Sequence, residues 1–234
     1  MTVLSKLLIA ALGATAFSLA YADRDDNKDG SCDIPGHLVR RIQAQLNAVV
    51  QLHNGGIFDP NRMWSAVVDR QGRLCSVTKV GDAWPGSRSI AIAKASTAND
   101  FSNDALALST ANLYAATQPG GSLYGLNNSN PFNPAFQPQQ TGIGFVPGGI
   151  ITFGGGVPLY EDGKVIGGLG VSGDSACADH TIAYRMRRNV HLDQIPGGVG
   201  FNKTDNIDYA TTGQAPTGFQ HPHCFPSDIA EGQI

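Results

Sequence analysis

The sequence predicts an α+β fold, one antiparallel five-stranded sheet with helices packed on it, and three observations carry that expectation. Glu161-Asp162-Gly163 sits between Leu159-Tyr160 and the run Lys164 to Val171. An Asp-Gly step between apolar runs marks a hairpin, because its turn requires positive φ. A second pair of strand-like runs, Met63 to Val68 and Leu74 to Val80, is joined by the tight turn Asp69-Arg70-Gln71-Gly72. Around these pairs lie stretches whose apolar residues recur at helical spacing.

In chain order, Leu38, Ile42, Leu46, Val49 and Val50 make a helix of residues 34–53, with Asp33 and Pro35 at its start and Asn54-Gly55-Gly56 at its end. The β pair follows. Ser87 to Ser102, rich in Ala and Ile, reads as a helix, and a shorter one is expected from Ala105 to Thr117. Gln118 to Phe145 is dense in Pro, Gly, Asn and Gln and reads as a long loop, of the kind that serves function or moves. Its Tyr124, Phe132 and Phe136 are candidates to fold over a pocket. Gly148 to Ala183 reads as three strands and a helix, with the closing helix carried over 183–190. The uncharged run Val165 to Val171 suggests a central strand whose glycines leave room for a close helix or a ligand. Residues 191–234 read as an extension that wraps the domain and is pinned by Cys224.

The chain has 234 residues, a net charge of −3 and 15% charged residues, which fits one domain and gives no basic stripe for nucleic acid. Lys6, the apolar LLIAALGATAFSLA and the Ala20-Tyr21-Ala22 site have the layout of a secretory signal over residues 1–22. The apolar run is too short to span a bilayer comfortably, so the mature chain is expected in the periplasm or secreted, without stable membrane insertion. In an oxidising compartment Cys32, Cys75, Cys177 and Cys224 are expected to form two disulfides, with three connectivities open. Chain ends commonly lie together, which favours Cys32 with Cys224 and Cys75 with Cys177. The absence of a CxxCH sequence argues against covalently attached c-type haem.

The acidic leader, residues 23–33, places Asp25, Asn27, Asp29, Gly30 and Asp33 at positions one, three, five, six and nine of a calcium loop. Gly36 stands where the bidentate Glu belongs, so a solvated leader is the competing reading. Gly168-x-Gly170-x-x-Gly173 runs from strand to helix but lacks the βαβ context of a dinucleotide site. Gly170-x-Ser172-x-Asp174 lacks the last glycine of a nucleophile elbow. The tail sequence His221-Pro222-His223-Cys224 offers copper or zinc ligands only if Cys224 is a free thiolate.

The segments AWPGSRSIAIAKASTANDFS, QPGGSLYGL and GGVPLYEDGKVIGGLGVSGDS, followed by Asp179 and Ile182-Ala183, resemble the GlcG/HbpS family of small haem-binding and haem-sensing proteins. That family includes the C-terminal domain of PduO, and the resemblance spans residues 34–190. It implies a profilin-like fold, homo-oligomers and non-covalent haem binding. The long loop, the cysteines, the leader and the tail depart from the family pattern.

Haem held without thioether links needs an apolar slot, an axial donor and partners for its propionates. The expected topology brings the end of the first helix near the end of the last strand, which makes His53 and His180 the axial candidates. Lys94 and Thr97 match the family's KAxTA positions and are candidates for the propionates or the iron. Trp84, Phe101 and Tyr124 are candidates to pack on the macrocycle. Each also has an ordinary structural role available: His53 at a helix C-terminus, His180 in a first turn, the others in the core or on a helix surface. The expected function is therefore an exported haem carrier, sensor or accessory redox protein. The alternative is an enzyme acting on a small organic acid or corrin-like ligand through Lys94, Thr97 or Asp179.

Overall fold

The computed structural model describes residues 32–210 and 217–234. Four long elements of the expected order are present: α1 (Gly36–Val49), β1 (Met63–Asp69), β2 (Leu74–Val80) and α2 (Ser87–Asp100). A 3-10 turn at Thr110–Leu113 leads into the single turn α3 (Tyr114–Thr117), and β3 (Gly156–Glu161), β4 (Lys164–Ser172) and α4 (Ala176–Asn189) complete the set. All pairings are antiparallel, in the order β2-β1-β4-β3.

The hairpin forms where Asp-Gly dictated, with Asp162 at φ 50° and Gly163 at φ 76° and Glu161 opposite Lys164. β1 and β4 are the central pair, registered from Trp64 opposite Ser172 to Asp69 opposite Gly167. Period-two alternation then divides their side chains between two faces. Val67, Leu169 and Val171 pack with Leu38, Ile42 and Leu46 of α1 and with α4, whereas Ala66 and Val68 meet Ala91, Ile92 and Ala95 of α2. The room left by the β4 glycines is taken by α2. A Cβ on Gly168 would lie 2.1 Å from the Ala95 carbonyl oxygen, and one on Gly170 would lie 2.0 Å from that of Ala91.

Four expectations are corrected. The sheet has four strands rather than five, because Gly148 and Gly149 adopt φ of 71° and 94° and turn the chain onto α2, where the Ile151 N–H donates to Thr97 Oγ1 at 2.9 Å. The segment after Ala105 is helical only from Thr110, since Asn103 Oδ1 accepts from the N–H groups of Ala105 and Leu106 and holds a turn there. The closing helix begins at Ala176, not 183, where the Ser175 side chain caps it by accepting from the Ala178 N–H. The disulfides join Cys32 with Cys75 and Cys177 with Cys224. Cys32 is held at the β1–β2 turn, where the Asp33 N–H donates to Asp69 Oδ2 at 3.0 Å and the Asp33 carboxylate pairs with Arg73. The tail instead runs across α4, so proximity of the chain ends does not decide the pairing.

The long loop covers the outer edge of β2: Leu74 donates to the Phe145 carbonyl and accepts from the Gly144 N–H. At the other edge Tyr160 donates to the carbonyl of Leu192. Both edges are thus closed by short bridges, which protects an otherwise open ladder.

Candidate functional site

Lys94, from the middle of α2, and Asp179, from the first turn of α4, form an ion pair in which Nζ lies 2.7 Å from Oδ2 and neither side chain is more than 2% exposed. Nζ also donates to the Val171 carbonyl at 3.1 Å and sits 4.8 Å from the centre of the Phe153 ring. Asp179 Oδ1 accepts the Asp174 N–H at 3.0 Å. Gly155 makes the space: at φ 121°, a Cβ there would fall 2.6 Å from Nζ. Burial pushes the Asp179 carboxyl up to about 6, although Lys94 pulls it back, and burial also lowers the Lys94 ammonium. Desolvation therefore brings the charged and neutral forms of the pair closer in energy than they would be in water.

Two buried histidines come from α4 and from the tail. His180 is fully buried on α4, with Nε2 3.0 Å from the Ile207 nitrogen and 3.1 Å from Asn206 Oδ1, while its Nδ1 has no partner. His221, from the tail, packs on Tyr114 and accepts the Gly154 N–H through Nε2 at 3.4 Å. Burial pushes both down, His180 to about 3 and His221 to about 4, so both are neutral at ordinary pH. The tail that covers them is part of the core. Ile207, Tyr209, Ile229 and Ile234 join the α1–α4 cluster, and Asp205 forms a second buried pair with Arg187, whose Nη2 lies 2.7 Å from Oδ1.

A third feature lies outside. Asp174 gathers the loop after α1 by accepting from the N–H groups of Ile57 and Phe58 and from Asn61 Nδ2. The loop then presents its apolar side chains outward: Leu52 is 50% and Ile57 55% exposed, and Phe58 meets the edge of Trp84, itself 48% exposed, at 5.5 Å. Arg62 stacks over Phe58 at 5.0 Å. Where the loop meets the tail, the Ser227 hydroxyl donates to the Gly56 carbonyl at 3.5 Å. His53 stands at this edge with its ring exposed and its carbonyl held by Arg185 at 2.8 Å.

The structure thus joins Lys94 to Asp179 but places His53 and His180 in opposite settings, one in solvent and one in the core. Thr97 is committed to the chain, donating to the Ala93 carbonyl at 2.7 Å and accepting from Ile151. Phe101 follows the last turn of α2, half-buried, and Tyr124 is exposed on the long loop. Asp33 is taken up by Arg73 at 2.6 Å and by Gln71, while Asp25, Asn27 and Asp29, like residues 1–22, lie outside the described residues. Sequence reasoning missed Asp205, Arg187 and the packing of His221 against Tyr114. The only signal for the last was the His-Pro-His-Cys run, which says nothing about what it packs on.

An α+β sheet closed by helices, with a glycine-lined polar pair between α2 and α4, sets the class, and the sequence comparison sets the family. The chain belongs to the HbpS-like family, described as haem degrading protein HbpS-like, which matches residues 49–187. An uncharacterized 15.0 kDa protein of the dhaT-dhaS intergenic region of Citrobacter freundii is 36% identical over 118 residues, covering 50% of this chain and 68% of that protein. The corrinoid adenosyltransferase PduO of Citrobacter freundii is 34% identical over 118 residues, but these cover only 29% of PduO. A crystal structure of a PduOC–haem complex aligns at a TM-score of 0.52 and 26% identity, covering 68% of this chain and 96% of that one.

Proposed function

We propose that this protein binds haem non-covalently and serves as an exported haem carrier, sensor or accessory redox protein of profilin-like architecture. The observation that carries the reading is the exposed apolar edge bearing His53, in a chain similar over most of its fold to a PduOC domain that binds haem. Exposed apolar patches mark binding surfaces, and this one has the parts a haem needs. His53 offers an accessible axial nitrogen, Leu52, Ile57 and Trp84 offer apolar and aromatic contact, and Arg62 offers a cation for a propionate. When bound, haem supplies an iron for ligand or electron exchange. His180 is the second candidate, and its use requires displacement of the 204–210 segment that covers it. A homo-oligomer in which two such edges face one another would shield the macrocycle. Export is supported by the signal-like layout of residues 1–22 and by two disulfides.

Titration of the protein with haemin tests this. A saturable Soret band that is lost in His53→Ala and kept in His180→Ala is expected. Loss only in His180→Ala moves the ligand inward, and absence of any band removes the proposal.

A second reading rests on the Lys94–Asp179 pair, whose burial favours proton exchange between its members. In that reading the protein is an enzyme acting on a small organic acid or corrin-like ligand. Turnover that survives His53→Ala but not Lys94→Met would favour it.

A further inference from the structure

The tail carries a donor set that the haem reading does not use. Cys177 Sγ, Cys224 Sγ and a ring nitrogen of His221 all lie within 4.8 Å of one another, and a tetrahedral zinc site with Zn–S bonds near 2.3 Å spaces its ligand atoms about 3.8 Å apart. In the oxidised protein the two sulfurs form a disulfide, with Cα atoms 6.0 Å apart. We propose that this disulfide is one state of a redox-gated metal site, and that the reduced chain binds a soft divalent or monovalent cation, of the zinc or copper(I) class, through Cys177, Cys224 and His221.

Three further observations favour it. His221 Nδ1 lies 2.7 Å from the Pro222 carbonyl oxygen, so Nδ1 carries the proton and donates, leaving Nε2 with a lone pair and only the long contact to Gly154. With Nε2 as the ligand atom, the backbone carbonyl on Nδ1 would orient the ring in the usual way for a metal-binding imidazole. Cys177 is the second residue of α4, a helix of 14 residues, and its N–H donates to Cys224 Sγ at 3.2 Å. Both sulfurs therefore lie at a helix N-terminus, where the thiolate forms required by a metal are favoured. Finally, a surface cleft of about 440 Å³, lined by His223, Cys224, Phe225, Pro226 and Asp228, reaches Cys224 and gives an ion a way in.

The chemistry balances with a dithiol as reductant. The S–S bond breaks, two S–H bonds form, and the dithiol is oxidised to its own disulfide. Metal binding then forms two metal–sulfur bonds and releases two protons. The proposal is independent of haem binding, since none of its three ligands belongs to the His53 edge.

Cobalt(II) is the probe. The full chain is reduced with a dithiol, desalted without oxygen and titrated with Co²⁺, with circular dichroism recorded alongside. The reduced protein is expected to develop a thiolate-to-cobalt charge-transfer band at one equivalent, and the oxidised protein none. The band should persist in Cys32→Ser/Cys75→Ser and vanish in Cys177→Ser/Cys224→Ser, and His221→Gln should weaken Co²⁺ binding by about tenfold or more. The proposal is overturned by absence of the band, by its survival in Cys177→Ser/Cys224→Ser, by unchanged affinity in His221→Gln, or by an unfolded spectrum on reduction.

Discussion

Lys94 Nζ stands 2.7 Å from Asp179 Oδ2 in a site closed to water, joining two helices on opposite faces of the sheet. Removing one member of such a pair strands the other charge in a poor solvent, which costs about 3–5 kcal/mol, whereas replacing both by apolar groups is often neutral. Lys94→Met and Asp179→Leu are each expected to lose stability on that scale, and Lys94→Met/Asp179→Leu to recover most of it. Urea unfolding of the four proteins as a double-mutant cycle checks this; additive losses would show that the two groups are not coupled.

The glycines of β4 set how closely α2 approaches. Gly170→Ala would place a methyl 2.0 Å from a helix carbonyl, so α2 must shift and a loss of about 3 kcal/mol or more is expected. Gly163→Ala meets no atom within 4 Å and costs only its positive φ of 76°, about 1 kcal/mol. Thermal melts of the two variants should rank them in that order; equal melts would mean the helix–strand gap is slack.

His180 couples folding to pH. Its pKa falls from 6.5 to about 3 on burial, so the native state binds fewer protons than the unfolded chain between those values. Its contribution is full above pH 6.5 and is lost as pH falls towards 3, at up to about 1.4 kcal/mol per pH unit. Asp179 works in the opposite sense. Its carboxyl, raised by burial from 3.8 to about 6, disfavours the native state above pH 6 and relieves that cost as pH falls through 6 towards 3.8. Comparing wild type with His180→Gln cancels the Asp179 effect. The stability advantage of wild type over His180→Gln should shrink between pH 6.5 and pH 4, and a constant difference would contradict a buried neutral His180.

What the sequence announces and what it hides divide along contact range. The Asp162-Gly163 turn and the small residues of β4 act on their immediate neighbours, so their pattern shows both the hairpin and the close packing. Ser175 is also a local signal, a helix cap directly before Ala176, and recognising it would have placed the start of α4. The disulfide partners are 43 and 47 residues apart, and Lys94 and Asp179 are 85 apart. No local pattern specifies those meetings. Lys94 does leave a trace, as a single cation in the Ala-rich turn Ala93 to Ala98 of a helix buried along most of its length. His53 was legible as a helix-end histidine, but the course of the loop that follows it depends on Asp174, from beyond β4, drawing in Ile57 and Phe58.

The absorption spectrum of the protein as isolated from its native compartment tests the central claim most directly. The account predicts a Soret band that co-purifies with the folded chain and is missing from His53→Ala prepared in the same way. A colourless wild-type protein that also fails to take up added haemin would contradict it.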